Sequence, residues 1–362
     1  MDILQAFFHH RKPRRFSAWQ IELTTRCPLW CTMCIKDEYK NRHQKDMPMD
    51  DFRKIAPYLK NVENVVLEGW GESLLYKDLI ECIHLVKEEG ARAGFVTSGM
   101  GLTGDYSIRL ISAGIDFVGF SLSGATPETH NSIRINSDFD MLIDSIKLFK
   151  KLSDEYNSLN KPKMHIVYLM LKENIGELPI LIDLAQKIGI DEIILLNIIQ
   201  ISNSWQDDKK VFACDDGEPY KALIKRAANK AVQSNIKLTI PNITPGEVSM
   251  CNENPLKNLY ISVEGEVSPC VYLHPPVDSV FKRVFCGREY DIDKVSFGNI
   301  FREPFESIWN RKEYADFRDC FIQRQQKFKE IYQSFPEIKK PEVSGLPPPP
   351  LPCRTCYKML GF

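Results

Sequence analysis

The sequence predicts an α/β fold, a parallel sheet with helices outside, followed by a small cysteine-rich domain. Three observations carry this. Strand and helix patterns alternate some six times over residues 16–240, and right-handed crossovers between such units build a parallel sheet. Gly90, Gly114 and Gly189 each close a helix pattern just before a strand. From Pro241 onward Pro, Gly and Cys become frequent and the alternation stops.

In chain order, residues 1–15 form a basic arm ending His9-His10-Arg11-Lys12-Pro13-Arg14-Arg15, either a solvated tail or a contact for an acidic partner. Ala18–Leu23 reads as the first strand and feeds a loop rich in cysteine. Asp50–Leu59 looks helical, with Asp50 or Asp51 as its cap. Strands follow at Val62–Leu67, Ala91–Thr97, Asp116–Leu122, Lys163–Leu171 and Asp191–Ile198. Between them lie helices at Lys77–Glu88, Tyr106–Ala113, Phe139–Leu152 and Ile175–Ile188. In the first of these Cys82 shares a face with Leu79, Ile83 and Val86, as a small core residue would. A helix over Pro219–Ser234 and a short strand at Lys237–Ile240 end the series. In residues 241–362, Leu259–Val263 and Glu266–Ser268 form a hairpin around Glu264-Gly265, and one helix covers Pro304–Gln325 with Trp309 and Phe317 on its apolar side. Pro336, Pro341, Pro347–Pro350 and Pro352 then make a stiff, extended spacer.

Composition bounds the function. A net charge of -1 argues against a nucleic-acid-binding surface spread over the protein. No run approaches the ~18 apolar residues of a membrane span, and the opening Met-Asp-Ile-Leu is no secretion signal. Eleven cysteines, clustered as CxxxCxxC and CxxC, fit metal binding in a reducing cytoplasm better than a disulfide scaffold.

The central stretch is Cys27-Pro-Leu-Trp-Cys31-Thr-Met-Cys34. Three thiolates so close can grip one face of a 4Fe–4S cluster while the fourth iron keeps an open position. Three unrelated core thiols are the plainer alternative. With the motifs downstream, the chain resembles the radical S-adenosylmethionine (radical SAM) enzymes. That resemblance implies a partial (β/α)6 barrel with its chemistry at the C-terminal strand ends. It also implies a cluster at Cys27, Cys31 and Cys34 that cleaves SAM to a 5'-deoxyadenosyl radical. A one-electron donor such as flavodoxin or ferredoxin would feed it.

The same resemblance assigns the SAM contacts. Gly69-Trp70-Gly71-Glu72 resembles the family's GGEP segment, which holds the SAM amino group; Trp70 and Ser73 depart from it. Glycines there let backbone approach a ligand, and Glu72 offers a carboxylate to an ammonium. Ser121 and Ser123 fall in a segment like SLDG, with Ser123 in place of aspartate, and imply contacts to ribose hydroxyls. His130 and Arg134 match an HxxxR pattern, so Arg134 would pair with the SAM carboxylate; a plain surface cation is the alternative. Asn174 stands where relatives contact SAM, or is an ordinary loop asparagine. Met33 replaces an aromatic that lies against adenine.

Cys251, Gly265 and Cys270, then Cys353 and Cys356, resemble a truncated SPASM or twitch-type domain with a second, auxiliary 4Fe–4S cluster. The segments Phe297-Gly298-Asn299-Ile300 and Ile308-Trp309 also match relatives that carry it. Four thiols suffice for one cluster, and a four-thiolate zinc site is the alternative. Cys286 or Cys320 stands as a substitute ligand, and Cys214 reads as a loop thiol. The resemblance implies an enzyme acting on a peptide, protein or small molecule such as a sugar, or maturing a metal cofactor or its enzyme. About sixteen residues precede the first strand, too few for a separate leader-peptide-binding domain, although one could be supplied in trans. A non-catalytic iron–sulfur electron carrier is the reading from another class.

Overall fold

The computed structural model describes residues 14–37, 44–156, 161–215, 217, 220–334 and 345–362. The basic arm up to Pro13 and the spacer up to residue 344 lie outside them. The first half runs β1 (Phe16–Ile21), β2 (Trp30–Cys31), α1 (Met49–Ile55), β3 (Val62–Val66), α2 (Leu79–Glu88), β4 (Arg92–Thr97) and α3 (Gly104–Ser112). It continues β5 (Phe117–Leu122), α4 (Pro127–Ile133), β6 (Arg134–Ile135), α5 (Phe139–Tyr156), β7 (Lys163–Met170), α6 (Leu178–Ile188) and β8 (Glu192–Asn197). Then come α7 (Ser204–Lys209), α8 (Lys221–Gln233), β9 (Lys237–Thr239), β10 (Asn258–Ile261) and β11 (Val267–Ser268). The chain ends with β12 (Val280–Phe285), β13 (Arg288–Asp293), α9 (Phe305–Trp309) and α10 (Lys312–Ser334).

One nine-stranded sheet has the order β11-β10-β1-β3-β4-β5-β7-β8-β9, all parallel except β11, and its edges do not meet. Six β-α units therefore form an open, partial barrel. Alternation along the strands sorts the side chains. Leu67, Phe95, Phe120, Tyr168 and Leu195 are fully buried under the helices. Glu68, Val96, Ser121, Val167 and Leu196 turn to the concave face and line a cavity there.

The second region is built onto this sheet. Its strand β10 pairs with β1, from Ala18↔Asn258 to Ile21↔Ile261, and covers an edge left with unpaired amides and carbonyls. Helix α9 packs Phe305 and Trp309 against Phe16 and Trp19, with ring centroids 4.7–5.6 Å apart. Such aromatic pairs each add about 1 kcal/mol beyond area burial.

Three expectations need correction. The single helix over 304–325 is two, α9 and α10, because Arg311 at the break bonds the Phe297 carbonyl and pairs with Glu303; α10 then runs on to Ser334. The hairpin β12–β13 was not foreseen. Its two-residue turn puts Cys286 and Gly287 at φ of +49° and +73°, a conformation usually signalled by Asn-Gly or Asp-Gly. Finally, Cys286 is bonded to Cys214 with Cα atoms 5.7 Å apart. Cys214 is thus no idle loop thiol, and Cys286 is not a spare metal ligand. The other nine cysteines are free.

Two buried arginines bring the C-terminus home. Arg324 on α10 bonds the carbonyls of Val248, Ser249 and Pro347 and pairs with Glu247. Arg283 on β12 bonds the carbonyls of Pro352 and Tyr272. Among the described residues no helix is long and apolar enough to cross a membrane.

Candidate active site

The cysteine loop lies over the C-terminal ends of the parallel strands. It is tied down twice. Arg26 pairs with Asp46 and bonds the Leu75 carbonyl at 2.6 Å. The short ladder β2–β6 sets Cys31 opposite Arg134. Cys27, Cys31 and Cys34 are half-buried and line one cavity of about 350 Å³ together with Met33, Gly69, Gly71 and Glu72. Burial pushes the Cys31 thiol up to about 11, against the pull of the Arg134 guanidinium.

The glycine loop differs from its sequence reading in one respect. A Cβ on Gly71 would stand 2.0 Å from the Thr24 carbonyl oxygen, and one on Gly69 2.5 Å from the Glu22 side chain. These glycines make room for the chain's own β1 loop as well as exposing backbone to the cavity. Glu72 is 4% exposed, and its carboxylate accepts from Thr97 Oγ1 at 2.7 Å and from Ser98 N and Oγ at 2.8 and 2.6 Å. It locks the loop to the tip of β4.

Ser121 lines the cavity. Ser123 is fully buried beyond it, and its Oγ accepts from Arg134 Nε at 2.9 Å, while Arg134 Nη1 comes 4.0 Å from Cys31 Sγ. His130, held neutral well below neutrality (about 3) by burial and by Arg134, accepts at Nδ1 from Ser123 N. Asn174 is fully buried with a saturated amide: Oδ1 takes Leu171 N–H, and Nδ2 donates to the Ser123 and Leu169 carbonyls. Its side chain braces Ser123, and the residue is not one of those lining the cavity.

Two cavity residues escaped the sequence reading. Glu68 turns inward with Oε2 on Val96 N–H at 2.7 Å. Burial pushes its carboxyl up to about 7, the Val96 bond opposing and the Glu72 and Glu253 carboxylates adding. Lys36, two residues past Cys34, is buried in the cavity wall. The strand parity after Leu67 carried the signal for Glu68; nothing in the sequence marked Lys36.

The second thiol set also assembles. Cys251, Cys270, Cys353 and Cys356 act on one another electrostatically, and burial pushes the Cys251 thiol up to about 12. Arg283 bears on Cys353, and Lys358, paired with Glu253 at 2.6 Å, bears on Cys251. Four thiols with the buried Arg283 beside Cys353 and the partly exposed Lys358 beside Cys251 suit a polynuclear anion. Among the described residues no three His, Cys, Asp or Glu side chains converge as a single metal ion requires.

A profile of the Radical SAM superfamily matches residues 21–185, and one of the SPASM iron–sulfur cluster-binding domain matches residues 251–357. The chain belongs to the radical SAM superfamily and carries a SPASM-type auxiliary domain. It is 26% identical over 303 residues to a tungsten-containing aldehyde ferredoxin oxidoreductase cofactor-modifying protein of Pyrococcus furiosus, spanning 82% of each chain. It is 28% identical over 181 residues to a probable GTP 3',8-cyclase of Methanococcus maripaludis, covering 49% of this chain and 58% of that one. Among solved structures, Streptococcus suis SuiB bound to precursor peptide SuiA superposes with a TM-score of 0.61 at 15% identity, over 84% of this chain and 67% of SuiB. Native anSMEcpe with bound AdoMet and Cp18Cys peptide gives 0.62 at 15%, over 84% of this chain and 83% of that one. These two likenesses show the fold. The protein is therefore an enzyme whose cofactors are 4Fe–4S clusters and SAM.

Proposed function

We propose that this enzyme removes a hydrogen atom from a small organic molecule held in the barrel cavity, in the maturation of a metal cofactor. The carrying observation is that the Cys27–Cys34 thiols, Glu68 and the Gly69–Glu72 loop after β3, and the inward side chains of β4, β5, β7 and β8 line one cavity. The name of the Pyrococcus furiosus relative supports the choice of substrate class.

A cluster bound at this site would supply the electron for reductive cleavage of SAM to methionine and a 5'-deoxyadenosyl radical, the species able to take a substrate hydrogen. Cys27, Cys31 and Cys34 hold it by three thiolates, with Arg134 offsetting their charge. The Gly69–Gly71 backbone and Glu72 hold the SAM amino group, Arg134 the carboxylate, Ser121 a ribose hydroxyl and Met33 the adenine. Ser123 and Asn174 position Arg134 and the strand tip. Cys251, Cys270, Cys353 and Cys356 ligate the auxiliary cluster, and a flavodoxin- or ferredoxin-type protein supplies the electron.

Extracts of the source cell, split by ultrafiltration, test the substrate class. The small-molecule fraction should raise 5'-deoxyadenosine formation several-fold over SAM and reductant alone. Stimulation by the protein fraction only would point to a protein or peptide substrate instead.

A further inference from the structure

Two donors in the cavity are left unused by that assignment. Lys36 is 4% exposed, and its Nζ has no hydrogen-bond partner. Trp70 lines the same cavity, and its Nε1 is likewise buried without an acceptor. Lys36 sits in the helical turn Ile35–Asp37, where Ile35 is 1% exposed and anchors the turn. Burying an ammonium without an acceptor is costly, so a fold that keeps one there holds it ready for an anion.

The cavity's own carboxyl groups do not serve. Glu72 is held by Thr97 and Ser98 and is the group the proposed function sets against the SAM amino group, and Glu68 is held on Val96 N–H with no bond to Lys36. The other cation at the cavity, Arg134, is fixed by Ser123 and faces Cys31, where the proposed function uses it for SAM. Lys36, whose charge also bears on the Cys31 thiol, is the cation whose ammonium has no bonded partner.

We propose that Lys36, with the Trp70 indole N–H, binds an anionic group of the substrate, a phosphate or a carboxylate. An ammonium is a compact point charge and takes either. The substrate is then an acid or a phosphate ester whose anion docks beside the cysteine loop. This rests on the cavity being the SAM site, so SAM binding is measured alongside.

Inorganic phosphate is the probe, titrated by calorimetry into anaerobically reconstituted, SAM-saturated enzyme. Wild type should show saturable binding. Lys36→Met should weaken it at least tenfold and Lys36→Arg should retain most of it, with SAM affinity and iron content unchanged in both. Absent binding to wild type, or equal binding to Lys36→Met, overturns the proposal. So does weaker binding of SAM but not of decarboxylated SAM in Lys36→Met, which assigns the lysine to the methionine carboxylate. Lost iron with unaltered phosphate binding overturns it too and makes Lys36 the cluster's counter-charge. Failure of wild-type enzyme to bind SAM would instead overturn the underlying assignment of the cavity. Should Lys36→Met not fold, Lys36→Gln reads the same quantities.

Discussion

Arg283 donates from Nη1 to the carbonyl of Pro352 at 2.8 Å, one residue ahead of Cys353. Its Nη2 donates to the Tyr272 carbonyl at 3.2 Å, two residues past Cys270. One buried side chain thus joins the C-terminal CxxC to the Cys270 loop and sets a positive charge beside Cys353. Arg283→Met should lose about four of about eight irons while keeping SAM cleavage. Each charge-assisted bond lost is worth about 1.5–3 kcal/mol. Iron assay and electron paramagnetic resonance check this, and a full iron complement would show that Arg283 is dispensable to the auxiliary site.

Cys353→Ala/Cys356→Ala should behave as Arg283→Met does, with 5'-deoxyadenosine still formed without substrate and substrate turnover lost. By contrast Cys214→Ala/Cys286→Ala should retain all iron, because those two thiols bond each other. Loss of a cluster in the second variant would return Cys286 to the ligand set.

Glu68 predicts a pH signature in the metal-free protein. Its carboxyl is raised to about 7 by burial, so the folded state keeps the proton that the unfolded chain releases near 4.5. Its contribution to stability therefore falls as pH rises from about 4.5 to about 7, by up to about 3 kcal/mol. Glu68→Gln should melt higher than wild type at pH 8 and no higher at pH 5. A melting difference that does not vary with pH would mean the carboxyl is solvated.

Asn174 and Glu72 should separate bracing from binding. Asn174→Ala strands three buried backbone groups and should destabilise the fold by about 1–3 kcal/mol, with SAM affinity falling little. Glu72→Ala should weaken SAM binding by about 1.5–3 kcal/mol. The reverse ranking, measured by thermal melts and calorimetry, would exchange their roles.

Much of this was legible beforehand. The six strands announce themselves because each is buried on its helix side, as Phe95, Phe120 and Tyr168 are. The thiol sets are legible because cluster ligation demands particular spacings. What was hidden depends on long-range placement. The Cys286-Gly287 turn carries no asparagine or aspartate to mark it, and the partner of Cys286 lies 72 residues away. The packing roles of Asn174 and Gly71 are visible only once Ser123 and Thr24 stand next to them. Lys36 looked like any loop lysine until burial removed its water.

The central claim is tested most directly by product formation from SAM alone. Anaerobically reconstituted wild type, given SAM and dithionite, should release 5'-deoxyadenosine and methionine in equal amounts. The Cys27→Ala/Cys31→Ala/Cys34→Ala variant should release neither while keeping its auxiliary iron. An iron-replete wild-type enzyme that binds SAM and leaves it intact, or a triple variant that still cleaves it, would contradict the account.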